Sequence, residues 1–186
     1  TMKLVILDRD GTINFDSERF IKTPEEWRPI PGALDAIARL NAAGYHVAVA
    51  TNQSGIERGL LDMSALNAIH AKMLQAVQDA GGRIDAIYYC PHSGDADCRC
   101  RKPGPGMFID IGQRLGVALD VVPCIGDGLR DLQAAAAAGA RPMLVLTGKG
   151  ASTLAAGGLP PGTEVFANLA VAVEAILTRE PTTATR

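Results

Sequence analysis

Residues 3–12 read KLVILDRDGT. The apolar run from Leu4 to Leu7 stops at Asp8, and a second aspartate follows at Asp10 before Gly11 and Thr12. A short apolar run without alternation reads as a strand buried on both faces, the habit of a parallel sheet. The charged residues that end it then stand at the carboxyl end of that strand.

The pattern repeats along the chain. Residues 13–30 are irregular and polar, with Trp27 among them, and residues 31–43 predict a helix with Pro31 in its first turn and Leu34, Ile37, Ala38 and Leu40 as its apolar stripe. HVAVAT, residues 46–51, is a second buried strand. A helix is expected over 64–80, with Leu66, Ile69, Met73, Leu74 and Val77 facing the core and Gly81-Gly82 ending it. Further strands are expected at 84–89, in VVPCIGD (121–127), in PMLVLT (142–147) and at 164–166. Helices are expected at 106–115, 129–138 and 169–178, and a loop rich in Gly, Ala and Pro at 148–163. The alanines at 134–138 read as a close-packing helix face. Alternating strands and helices predict an α/β fold, a doubly wound, mostly parallel, Rossmann-like sheet. Residues 1–180 are expected to form a single domain, and 181–186 a disordered tail.

Composition excludes several classes. The chain has 186 residues, 47% of them hydrophobic, which suffices for one full core. With 18 basic against 20 acidic residues the net charge is −2, so no basic surplus points to nucleic acid. No apolar run approaches membrane-spanning length and the first residues lack a signal-peptide pattern, so a cytoplasmic protein is expected. Low aromatic content and no apolar stripe on the surface favour a monomer.

In doubly wound sheets, sites form beyond the carboxyl ends of the strands, near the point where strand order reverses. The residues there are Asp8 and Asp10 after the first strand, Thr51 and Asn52 after the second, and Asp127 after the fourth with Asp131 one turn on; Lys102 precedes the helix that follows the third. Bare carboxylates this close repel one another unless a cation joins them, and a few aspartates suit Mg²⁺. Lysine and threonine supply donors for phosphate. Taken singly, each has a plainer reading: an aspartate after a strand is more often a helix cap, and Lys102 a solvated lysine. Their convergence at one sheet edge favours phosphoryl transfer to an aspartate.

Those residues carry a resemblance. DRDGT at 8–12, TN at 51–52, RKP at 101–103 and GDGLRD at 126–131 resemble, in order, the four motifs of the haloacid dehalogenase superfamily of phosphohydrolases. The resemblance implies that Asp8 attacks phosphorus and that Asp10 carries the proton. It implies that Asp8, the Asp10 backbone carbonyl and Asp127 hold catalytic Mg²⁺. It further implies that Thr51, Asn52 and Lys102 bind the phosphoryl group, and that Asp131 supports Lys102 or a metal-bound water rather than binding the ion directly. About forty residues between Asp8 and Thr51 leave no room for the cap domain that many members insert.

A second cluster lies in YYCPHSGDADCRCRKPGPGM, residues 88–107. Cys90, His92, Cys98 and Cys100 offer three thiolates and one imidazole, a closed set that suits structural Zn²⁺. A reducing cytoplasm disfavours a disulfide; the plainer reading is a loop of free thiols. The zinc-bound loop would steady Arg101 and Lys102 over the phosphate. Cys124, inside an apolar strand, reads as a core residue.

Within the superfamily, TNQSGIERG, YYCPH and CRCRKPGPGM resemble the branch that removes the C7 phosphate of heptose 1,7-bisphosphate in bacterial lipopolysaccharide precursor synthesis. The resemblance implies a small phosphorylated sugar as partner, touched by Asp16, Ser17, Glu18, Arg19, Gln53, Ser54 and Arg101. Two features depart from that branch: the His92–Cys98 spacer is short, as in the related histidinol-phosphatase type, and Gly128 stands where a lysine is common. Histidinol phosphate or another small phospho-metabolite is therefore an alternative substrate. Outside the class, a phospho-receiver domain would need neither Asp10 nor the zinc loop, and the intact acidic set argues against a zinc-stabilised module that has lost catalysis.

Overall fold

The computed structural model describes residues 2–179. The expected disordered tail, 181–186, lies outside the described residues. Six parallel strands form one sheet in the order β3-β2-β1-β4-β5-β6. They are β1 (Lys3–Leu7), β2 (Tyr45–Asn52), β3 (Ala86–Cys90), β4 (Pro123–Gly126), β5 (Arg141–Val145) and β6 (Glu164–Phe166). The helices are α1 (Ala33–Ala42), α2 (Met63–Asp79), α3 (Gly106–Leu115), α4 (Leu129–Ala137), α5 (Gly150–Ala156) and α6 (Leu169–Arg179). Among the described residues no helix is long and apolar enough to cross a membrane.

The side-chain period of two sorts each strand between two cores. Val5 and Leu7 of β1, with Val47 and Val49 of β2, pack against Ile37, Leu40, Leu66, Ile69, Met73, Val173 and Ile176 of α1, α2 and α6. Leu4 and Ile6, with Ala48 and Ala50, face Met107, Phe108 and Ile111 of α3 and Ala134 and Ala135 of α4. Each fully buried Leu, Ile or Met contributes about 1.5–3 kcal/mol through water released from its surface.

Some expectations change. Pro31 lies in a turn rather than in α1, because Gly32, at φ 86°, is the N-cap. Leu74 is 40% exposed and does not belong to the buried stripe of α2. The loop expected over 148–163 contains α5, a seven-residue helix of small residues that buries little apolar area and so left no periodic signal. The irregular segment before α1 is less polar in effect than its composition suggests, since Trp27 and Ile13 are fully buried. No folded insertion interrupts the sheet among the described residues; β3 and α3 are joined by the cysteine loop alone.

Strand order sets the site. The chain moves from β1 through β2 to β3 in one direction, then returns across β1 to lay down β4, β5 and β6 in the other. The reversal falls between β1 and β4, and a crevice opens beyond their carboxyl ends.

Candidate active site

That crevice is a cavity of about 470 Å³. Asp8, at the end of β1, and Asp127, just past β4, reach it from adjacent strands. The Asp8 backbone N–H donates to the Ile125 carbonyl at 2.9 Å, so the turn begins from a fixed point. Gly11 has φ 82°, and a Cβ there would collide with the Asp127 carboxylate; only glycine lets the two loops close.

Carboxylate oxygens of Asp8, Asp127 and Asp131 all lie within 4.8 Å of one another. Lys102 Nζ stands 3.1 Å from Asp8 Oδ1 and 2.6 Å from Asp131 Oδ1. Lys102 is 2% exposed. Burial alone would push the Lys102 ammonium down, yet the charges of Asp131 and Asp8 raise it above its ordinary range. Burial pushes the Asp8 carboxyl well up, and Asp131 adds to the shift against the opposing Lys102. Burial and Asp131 likewise raise Asp127 to about 6. When all are ionised, three carboxylates against one ammonium leave an excess of two negative charges, the amount a divalent cation neutralises. Asp131 is already engaged on both oxygens, by Lys102 and by the Gly128 N–H at 3.0 Å, as the N3 carboxylate of α4. Asp8 and Asp127 are the carboxylates left to hold an ion.

Asp10 lines the same cavity and is held from behind. Arg9 Nε donates to its Oδ1 at 2.8 Å and Arg9 Nη2 to its Oδ2 at 3.2 Å. Asn14 Nδ2 donates to Oδ1 at 3.0 Å and Gln53 Nε2 to Oδ2 at 3.3 Å. Burial pushes the Asp10 carboxyl up, but the Arg9 charge and these hydrogen bonds outweigh it and hold the group below the usual carboxylate range. Arg9 itself is fully buried, and its Nη1 lies 3.1 Å from His70 Nε2 on α2.

Thr51, at 1% exposure, is the penultimate residue of β2 at the cavity wall, and its Oγ1 accepts from Gln53 Nε2 at 2.9 Å. Asn52 lines the cavity but its side chain has another occupation. Its Nδ2 donates to the Lys102 carbonyl and its Oδ1 accepts from the Lys102 N–H, both at 3.1 Å. The β2 end therefore clamps the main chain of Lys102. Gln53, expected to meet substrate, is spent largely on Asp10 and Thr51.

Asp16, Ser17 and Glu18 line the cavity, whereas Arg19, Ser54 and Arg101 do not. Arg101 was expected to point with Lys102 into the cleft; instead Arg101 Nη1 donates to the His92 carbonyl at 3.1 Å, so neighbouring side chains diverge. Five cavity residues escaped the sequence reading of the site: Phe20, Leu129, Arg130, Lys149 and Thr153. The rule of looking just past each strand would have found Lys149, which follows β5 and stands 3.7 Å from Asp16 across the cavity mouth. Its backbone N–H also donates to Asp127 Oδ2 at 2.8 Å.

The Cys/His cluster is assembled. Ligand atoms of Cys90, His92, Cys98 and Cys100 all lie within 4.8 Å of one another. Cys90 Sγ is 3.8 Å from Cys98 Sγ and 3.4 Å from His92 Nδ1, and His92 Nδ1 is 3.3 Å from Cys100 Sγ. Those edges are close to the roughly 3.8 Å that tetrahedral Zn–S bonds of about 2.3 Å would span. At 2.8 Å the Cys90–Cys100 pair is too long for a disulfide, and all four cysteines are free. Cys124 is buried in the second core, as expected.

Comparison with known proteins follows the same lines. A HAD-hydrolase-like family model matches residues 99–172, and a polynucleotide kinase 3 phosphatase model matches residues 3–123. The chain is 57% identical over 176 residues to the D-glycero-beta-D-manno-heptose-1,7-bisphosphate 7-phosphatase of Bordetella bronchiseptica, covering 95% of this chain and 98% of that one. It is 52% identical to the Pseudomonas aeruginosa enzyme of the same name, covering 94% and 97%. The crystal structure of the B. bronchiseptica phosphatase complexed with magnesium and phosphate superposes with a TM-score of 0.95 at 56% identity, over 96% of this chain and 100% of that chain.

Proposed function

Since this chain belongs to the heptose-1,7-bisphosphate 7-phosphatase family of HAD hydrolases, we propose that it removes the C7 phosphate of D-glycero-β-D-manno-heptose 1,7-bisphosphate through an aspartyl-phosphate on Asp8. The observation that carries the reading is the contact of Lys102 with Asp8, beside Asp127, at the reversal point of the sheet.

The chemistry follows from the placement of groups. Asp8 attacks phosphorus, the bond from phosphorus to the C7 oxygen breaks, and the departing alkoxide takes a proton from Asp10. Asp10 then takes a proton from water, the water attacks the aspartyl-phosphate, and free phosphate leaves with Asp8 restored. Asp10 is held ionised at rest, which suits the second half. For the first half, an incoming phosphate dianion raises its proton affinity by like-charge repulsion. Lys102 sits where it offsets charge on the phosphoryl oxygens, and the Thr51 hydroxyl supplies a donor at the same wall. Asp8, the Asp10 carbonyl and Asp127 would hold Mg²⁺, which supplies charge neutralisation and polarises the phosphoryl group. The excess of two negative charges supports this assignment, as does the magnesium and phosphate in the B. bronchiseptica relative.

Zn²⁺ at Cys90, His92, Cys98 and Cys100 would be structural, since four protein ligands leave no open position. Asp16, Ser17 and Glu18 would meet sugar hydroxyls, a role that their position in the cavity lining supports. The protein acts in the cytoplasm as a monomer; exposed apolar side chains such as Leu74, Val121 and Leu154 lie on separate elements, which supports the monomer. A turnover panel tests the substrate: heptose 1,7-bisphosphate should exceed histidinol phosphate and simple sugar phosphates in kcat/KM by at least about tenfold, as a second bound phosphate would give. Equal or faster histidinol phosphate turnover would reassign it.

A further inference from the structure

We infer that His70 is a positioning residue for the proton carrier: it pins the far end of the Arg9 guanidinium so that the near edge stays locked on Asp10. The inference rests on the assignment of Asp10 above.

His70 lies in α2 among Leu66, Ile69 and Met73, on the face that packs on the sheet, and it is 8% exposed. An imidazole on an apolar face loses hydration and needs a partner within the protein. Its Nε2 meets Arg9 Nη1 at 3.1 Å. Arg9 has no acceptor atoms, so the nitrogen of His70 must accept and the ring must be neutral with its proton on Nδ1. The surroundings agree: burial and the Arg9 charge lower the His70 imidazole to about 4.

Arg9 is fully buried and does not line the cavity; Asp10 stands between it and the substrate space. The guanidinium is a rigid plane. Two of its nitrogens grip Asp10 at 2.8 and 3.2 Å, along one edge. A plane held only by that edge can swing with the Asp10 side chain, and an incoming phosphate competes for its charge. The third contact, from another layer of the fold, removes that freedom. Asp10 is then held at one place while it changes protonation state, which is what proton transfer over hydrogen-bond distances requires.

Three measurements on the full-length, metal-loaded protein test this. Long-range ¹H–¹⁵N spectra of the histidine rings in the wild type should show His70 protonated on Nδ1 alone; a proton on Nε2 would exclude acceptance from Arg9 and overturn the inference. His70→Met keeps bulk and loses the acceptor, and should lower kcat and kcat/KM together by about tenfold with KM and the Mg²⁺ requirement unchanged. His70→Gln keeps an acceptor and should recover activity to within about threefold of wild type. Wild-type kcat in the Met variant, or equal losses in the Met and Gln variants, would reduce His70 to packing. If the Met variant does not fold, the tautomer and the Gln variant decide. Failure here leaves the Asp10 assignment intact, because that assignment stands or falls with Asp10→Asn.

Discussion

On the proposed mechanism, replacing Asp10 with Asn keeps shape and removes both of its proton transfers. Each such transfer is worth about 10²–10⁴ in rate, so an alkyl phosphate, which needs both, should lose at least about 10³ in kcat. p-Nitrophenyl phosphate separates the two halves, because nitrophenolate leaves without a proton. Attack by Asp8 then survives while hydrolysis of the aspartyl-phosphate loses its base. Stopped-flow absorbance should show a burst of one nitrophenolate per active site, then a slow steady state. The substitution also leaves the buried Arg9 charge without its anion, since Arg9 grips both Asp10 oxygens. Breaking such a pair costs about 3–5 kcal/mol, so circular dichroism and a melting curve must accompany the kinetics. A folded Asp10→Asn protein that hydrolyses the sugar phosphate at the wild-type rate would refute the assignment. So would a linear p-nitrophenyl phosphate trace, without burst, from an enzyme slowed on the sugar phosphate.

Asp8→Asn should reduce turnover to background without unfolding the protein, as measured by phosphate release and thermal melting; retained turnover would exclude Asp8 as nucleophile. Asp127 is raised to about 6, so protons compete with the ion below that pH, and the Mg²⁺ concentration for half-maximal activity should rise by up to about tenfold per pH unit there. In metal-free protein the sign for stability is opposite: a raised folded pKa gives stability that is full below the unfolded value of 3.8 and lost as pH rises through about 6. Metal-free wild type should therefore lose melting temperature relative to Asp127→Asn between pH 4 and 7 (about a unit beyond the cited pKa), and parallel curves would contradict the raised pKa. Elemental analysis should find about one zinc per chain, and Cys98→Ser should lower it together with thermal stability. Ile69→Ala, in the fully buried core under α2, should cost about 2–5 kcal/mol in denaturant unfolding.

The fold was legible because its signals are periodic. Strands β1 and β2 are apolar on both faces, and α2 carries an apolar stripe, so burial itself wrote the pattern. α5 was hidden since its small residues bury almost nothing and only Gly150 is buried. Strand ends located Asp8 and Asp127, and the loop between β3 and α3 located Lys102, because topology brings those segments to one edge of the sheet. What the sequence could not reveal is how neighbouring side chains divide. Lys102 turns into the cavity while Arg101 turns to the His92 carbonyl, and both sit in the same loop. His70 and Arg9 are 61 residues apart, and nothing in either local pattern foretells their contact.

The division of work around Lys102 explains why an enzyme without a cap can hold its chemistry on loops. The lysine sits in a loop with little apolar content, and loops supply few contacts of their own. Here three independent ties converge. Asn52, at the end of β2, holds both backbone polar groups of Lys102 at 3.1 Å. The Gln53 N–H donates to the Cys90 carbonyl at 2.7 Å, which joins the same β2 end to the first residue of the Cys/His cluster. Asp131, fixed by its bond to Gly128, receives the ammonium itself at 2.6 Å. Removing any one tie leaves two, so Asn52→Ala should weaken the placement of Lys102 without abolishing it. The expected result is a kcat loss of about 10-fold, in keeping with a displacement well under the 1 Å that costs about 10². A loss as large as that of Lys102→Met would mean that the clamp, and not the buried ion pair, sets the position of the charge.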